Sequence, residues 1–132
     1  MSEGPPQRPL RILVADDYPD TRASLRLMLT LLGHAVTEAG DGAAALEAAR
    51  AVCPHLALLD LAMPRGNGLE VARQIRQDPS LQGLLLVAVS GHGQEEVVAQ
   101  ALAAGFDRHF LKPLDFAALQ ALLAERASRP IA

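Results

Sequence analysis

Short apolar runs alternate along the chain with longer stretches whose apolar residues recur at helical spacing. The runs are R-I-L-V-A at 11–15, A-V-T-E-A at 35–39, L-A-L-L-D at 56–60, L-L-L-V-A-V-S at 84–90 and R-H-F-L at 108–111. Each has the length of a strand. Between the first two, Leu25, Met28, Leu29 and Leu32 form one helical stripe, with Asp20 and Thr21 offering an N-cap and Gly33 stopping it. A second helix is expected in A-A-A-L-E-A-A-R, almost pure helix former, after the turn at Asp41 and Gly42. Three more are expected over 69–76, 95–104 (closed by Gly105) and 116–126.

Strands that alternate with helices predict an α/β fold with a parallel sheet, because each parallel crossover needs a helix-sized connection. The first, third and fourth runs are nearly continuous in apolar residues, as strands covered on both faces should be. A-V-T-E-A alternates instead, which marks an edge. The expectation is a single doubly wound five-stranded parallel sheet of order 2-1-3-4-5 with five helices, a flavodoxin-like arrangement with the more polar second and fifth strands outermost. The folded domain is expected over 10–127, between a proline-rich disordered tail at 1–9 and a short tail at 128–132.

Composition narrows the function without choosing it. The chain has 132 residues, 50% of them hydrophobic, enough for one core but not two. A formal charge of −3 with scattered arginines leaves no basic footprint for nucleic acid, and no apolar stretch is long enough for a membrane. The expectation is a cytoplasmic protein, monomeric or weakly dimeric. Cys53, the one cysteine, excludes an internal disulfide and reads as a small buried hydrophobe. His34 and His55 fall at helix-to-strand connections, with no functional role expected.

The polar residues at the strand ends carry the chemistry. Asp16 and Asp17 follow the first strand, Asp60 ends the third, Ser90 ends the fourth and Lys112 follows the fifth. All lie at carboxyl ends, where open α/β sheets bind ligands beside the point of strand-order reversal. Lys112 is the only lysine, against eleven arginines, so its place directly before Pro113 invites a specific explanation. A lysine is a compact point charge suited to one concentrated anion. Three carboxylates gathered at one place need a cation, and oxygen-only ligation favours Mg²⁺, or Mn²⁺ in its stead, completed by a phosphate. A carboxylate nucleophile, a metal, a lysine and a hydroxyl make a phosphoryl-transfer site.

The combination of D-D, D-L-A-M-P, S-G and K-P after successive strands resembles the receiver domain of two-component response regulators, over nearly the whole chain. The resemblance implies that Asp60 is the phosphoacceptor, fed by a histidine kinase or phosphotransfer protein. It also implies metal binding by Asp16, Asp17, Asp60 and the backbone carbonyl of Ala62, with Asp16 acting mostly through water. Lys112 would pair with the phosphoryl group, across a cis bond to Pro113, and Ser90 would be the switch hydroxyl. Met63, Pro64, Gly66 and Gly68 match the loop that leaves Asp60 exposed. Ala62 and His92, two residues beyond Asp60 and Ser90, match positions that set phosphoryl lifetime. One position departs from the commonest pattern: His109 stands where a switch tyrosine or phenylalanine is usual. R-H-F-L-K-P after G-F-D looks more like receivers associated with hybrid histidine kinases. His109 is therefore either the switch residue, with a titratable ring, or a half-exposed strand histidine.

The leading expectation is a phosphorylation-controlled switch that reshapes the face of the fourth helix, fifth strand and fifth helix for a downstream protein not identified by the sequence. The chain is read as a regulatory phosphoacceptor, not an enzyme beyond its own phosphorylation and dephosphorylation. A Mg²⁺-dependent aspartyl-phosphate phosphatase is the main alternative, but Leu61 and Ala62 follow Asp60 where such enzymes place a second acid two residues on. A nucleotide- or flavin-binding module would need a phosphate-cradling loop where D-D-Y-P-D is acidic. A receiver-like binding module working without phosphorylation is the remaining alternative.

Overall fold

The computed structural model describes residues 9–64, 67–91 and 93–129. Its elements run β1 (Arg11–Ala15), α1 (Pro19–Leu31), β2 (Ala35–Ala39), α2 (Gly42–Val52), β3 (Leu56–Asp60), α3 (Gly68–Gln77), β4 (Leu85–Ser90), α4 (Glu95–Ala104), β5 (Arg108–Leu111) and α5 (Phe116–Ala127). The five strands are all parallel, in the order β2-β1-β3-β4-β5. β3 and β4 are buried throughout, whereas β2 and β5 are part-exposed edges.

Side chains two apart on a strand share a face, and this parity divides the core in two. Ile12, Val14, Leu56, Leu58, Leu85, Val87 and Val89 meet Leu29 of α1 and Leu119, Leu122 and Leu123 of α5. The alternate residues, Leu13, Ala15, Ala57, Leu59, Leu86 and Ala88, meet the alanine-rich faces of α2 and α4 and the Val71–Ile75 face of α3. Helices on both faces, with small alanines letting α2 approach closely, are what a doubly wound sheet requires.

The helix boundaries mostly follow local chemistry. Asp41, Asn67 and Asp115 cap α2, α3 and α5 by accepting from the backbone N–H groups of Ala44, Glu70 and Ala118. The start of α1 differs from the expected cap at Asp20 and Thr21. Pro19 occupies the first turn behind Tyr18, and its fixed φ begins the helix without a side-chain cap. A short 3-10 turn at Pro79–Leu81, not foreseen, precedes β4, which starts at Leu85 instead of 84. Cys53 also corrects expectation. It is exposed, in the left-handed conformation (φ 49°) that ends α2, so its position serves the turn and not the core. The tails at 1–8 and 130–132, Gly66 and His92 lie outside the described residues.

Candidate functional site

At the carboxyl edge of the sheet, strand parity chooses which polar residues meet. Asp16 continues the row of Ile12 and Val14, and Asp60 that of Leu56 and Leu58, both on the α1/α5 face. Lys112 continues the row of Phe110 beyond β5, and its backbone N–H donates to the Ser90 carbonyl at 2.8 Å. Its Nζ then reaches both acids, 2.9 Å from Asp60 Oδ2 and 3.0 Å from Asp16 Oδ2. Asp16 and Asp60 are buried. Burial disfavours the lysine's charge, but hydrogen bonds and attraction from Asp60 and Asp16 outweigh it and raise its pKa above the ordinary value.

Backbone donors hold the remaining carboxylate oxygens. Asp60 Oδ1 accepts from the Ala62 N–H at 3.0 Å, and Asp16 Oδ1 accepts from the Tyr18 N–H at 2.9 Å. Asp17 is different. It is exposed and makes no hydrogen bond or ion pair with the described residues, yet its carboxylate lies near the other two. Ligand oxygens of Asp16, Asp17 and Asp60 all fall within 4.8 Å of one another. An all-oxygen set containing one uncompensated carboxylate suits a hard divalent cation.

Ser90 has the opposite parity, in the row of Leu86 and Ala88. His109 lies opposite Ala88 in the β4–β5 register, on that same face. Small Ala88 leaves space for the ring, and His109 Nε2 is hydrogen-bonded to Ser90 Oγ at 2.8 Å. The Lys112–Pro113 peptide is cis. Met63 is buried, while Gly68 begins α3 against the strand end: a Cβ there would lie 2.8 Å from the Asp60 carbonyl oxygen.

Residues 12–124 match the family model described as the response regulator receiver domain. The chain is 38% identical over 112 residues to the nitrate/nitrite response regulator protein NarL of Escherichia coli, covering 83% of this chain and 50% of that protein. The chain thus spans about half the length of such curated relatives. The solved signal receiver domain of NarL from Mycobacterium tuberculosis superimposes with a TM-score of 0.80 at 35% identity, over 92% of this chain and 99% of that one. This chain belongs to the response regulator receiver family. A further neighbour is the receiver domain of a sensor histidine kinase from Pseudomonas aeruginosa, at 25% identity and a TM-score of 0.84 over 92% and 100% of the two chains. Its structure has a magnesium ion coordinated in the active-site cleft.

Receiver domains bind Mg²⁺ in an acidic pocket and take phosphate from histidine kinases or phosphotransfer proteins. They are regulatory phosphoacceptors and not generally classed as enzymes. Of the residues singled out from sequence, Asp16, Asp17, Asp60 and Lys112 form one cluster at this edge, with the Ala62 N–H on Asp60, and Ser90 and His109 form a separate pair. Arg22 was not singled out. Its Nη1 donates to the Asp16 carbonyl at 2.7 Å while its Nε pairs with Glu38 at 3.3 Å, which braces the loop after β1. A cavity of about 350 Å³ also opens beside the cluster, between α1 and the Lys112–Leu114 segment, with Leu25, Met28 and Leu58 in its walls. Sequence spacing places Arg22 on α1 but does not show that its side chain turns back toward the loop. Among the described residues no helix is long and apolar enough to cross a membrane.

Proposed function

We propose that this receiver domain is a phosphoryl-accepting switch in which Asp60 takes a phosphoryl group from a histidine kinase or phosphotransfer protein in a Mg²⁺-dependent reaction. The observation that carries the reading is Lys112 bridging Asp60 and Asp16 while Asp17, unpaired among the described residues, lies beside them. An Asp60 carboxylate oxygen forms the new O–P bond. The donor's P–N bond breaks, and its electron pair leaves with the imidazole nitrogen. Asp16, Asp17, Asp60 and the Ala62 carbonyl would hold Mg²⁺, or Mn²⁺, whose charge offsets that of the incoming phosphoryl oxygens. Lys112 supplies a further fixed positive charge, already within 2.9 Å of the acceptor.

Ser90 then exchanges partners. Its hydroxyl leaves His109 Nε2 to donate to a phosphoryl oxygen, freeing the ring on β5 and shifting the segment before α4. Leu102 of α4, Leu111 of β5 and Phe116 of α5 are exposed, which supports an apolar docking face for a downstream protein on those three elements. Ala62, with no side chain beyond Cβ, leaves room for an attacking water, so it and His92 would set how long the phosphoryl group lasts.

Phosphate incorporation from a small acyl-phosphate donor with Mg²⁺, followed by intact mass, tests the reading. One phosphoryl group should appear in the parent and none in Asp60→Asn or after chelation. Uptake that survives Asp60→Asn would overturn the assignment of the acceptor. Absence of uptake from both the small donor and a histidine kinase, with Mg²⁺ binding intact, would favour a receiver that works unphosphorylated.

A further inference from the structure

At the other end of the sheet, where the strands begin, two buried hydrogen-bond donors have no partner among the described residues. His55, just before β3, is buried, and its Nδ1 accepts the Arg11 N–H at 2.9 Å. A ring nitrogen that accepts carries no proton, so the proton of the neutral imidazole lies on Nε2. That Nε2 is out of reach of solvent and has no acceptor. Arg126, near the end of α5, is 5% exposed and donates Nε to the His55 carbonyl at 2.9 Å. Its Nη1 is likewise enclosed and unpartnered.

The charge around these donors has one sign. Arg11 sits beside His55 with its guanidinium on the Val52 and Cys53 carbonyls, and Arg129 follows on α5. Burial, then Arg11 and Arg126, lower the His55 pKa; burial, then Arg129 and Arg11, lower that of Arg126. The nearest acid on α5, Glu125, is taken up by Arg108 at 2.6 Å and Arg129 at 3.3 Å. Arg126 has no carboxylate partner among the described residues. A buried guanidinium without a counter-charge, and with one enclosed N–H group left without an acceptor, is unfavourable unless something supplies them.

We propose that His55 Nε2 and Arg126 Nη1 together seat a small inorganic monoanion, of halide size, at the amino ends of β1 and β3. Two N–H donors without an acceptor, on residues joined by the Arg126–His55 carbonyl hydrogen bond, select an anion over a cation, and enclosure from solvent selects a small one over phosphate or a peptide carboxylate. The seat lies at the opposite end of the strands from Asp60, so it acts on the stability of the domain and not on its phosphorylation chemistry.

Chloride replacing gluconate at constant sodium and ionic strength is the test, read by the ring ¹⁵N and ¹H signals of His55 and by Tm. A saturable shift of the His55 signals is expected, with a rise in Tm of about 4 °C or more at saturation. His55→Asp supplies a carboxylate in place of the ring, still able to accept from the Arg11 N–H and to pair with Arg126. That variant should be as stable without chloride as the parent is with it, and should show no chloride response. Phosphate uptake at Asp60 should be the same in both proteins, which verifies the fold. An unsaturable or absent response in the parent, or an equal response in His55→Asp, would overturn the proposal.

Discussion

A lysine that bridges two carboxylates competes with any cation for the same oxygens. Lys112 Nζ lies within 3.0 Å of both Asp16 and Asp60, so removing it leaves the three acids with no positive side chain paired to them among the described residues. Lys112→Ala should therefore bind Mg²⁺ more tightly, by roughly tenfold for the loss of one unit charge at this range. Tyr18 is the only tyrosine in a chain without tryptophan, and its N–H is held by Asp16, so its fluorescence reports the titration. Weaker Mg²⁺ binding in the variant would show that Lys112 organises the acids instead of competing for them. Strand-end placement made Lys112, Asp60 and Asp16 legible in the sequence. The Ser90–His109 hydrogen bond was not, because it depends on the β4–β5 register that sets the ring against Ala88.

At the scale of elements, the acceptor's position depends on how closely α3 approaches the end of β3. Gly68 donates its N–H to the Leu61 carbonyl at 3.1 Å, and an added Cβ would fall 2.8 Å from the Asp60 carbonyl oxygen and 2.9 Å from Leu61 Cα. Both atoms are backbone, so relief requires moving α3 or the strand end itself. Gly68→Ala should cost about 1–3 kcal/mol in urea unfolding and slow phosphate uptake at Asp60. Asn67→Ala, the neighbouring cap, should cost about 1 kcal/mol and leave uptake at the parental rate. Equal effects of the two substitutions on uptake would remove any special part for the Gly68 approach. The strands were readable because sheets buried on both faces write continuous apolar runs. The start of α1 was misread because Asp20 and Thr21 suit a cap by composition, whereas Pro19 already starts the helix directly behind Tyr18. Cys53 was misread because hydrophobic character does not reveal a left-handed helix end.

Across the whole molecule, sensitivity to mild acid belongs to the amino end of the sheet, where two buried histidines meet the start of β1. At the amino ends, His34 Nδ1 accepts the Leu10 N–H at 3.0 Å and His55 Nδ1 accepts that of Arg11, so each ring closes one backbone donor of the β1 entry. Protonation would convert each acceptor into a donor facing a donor. Burial lowers the His34 pKa; burial, reinforced by Arg11 and Arg126, lowers that of His55. For a histidine whose folded pKa lies below the unfolded value, the unfolded chain binds more protons in the window between the two. Stability therefore rises with pH there, is fully present above about 6.5, and is lost as pH falls through the folded value. Urea midpoints in chloride-free buffer should hold above about pH 6.5 and drop as pH falls below it, each unit of depression contributing about 1.4 kcal/mol. His34→Asn keeps an oxygen acceptor for the Leu10 N–H without a titrating group, so its midpoint should fall less over the same range. A slope identical to the parent's would mean that His34 takes up protons equally in the folded and unfolded states, leaving the acid sensitivity to His55.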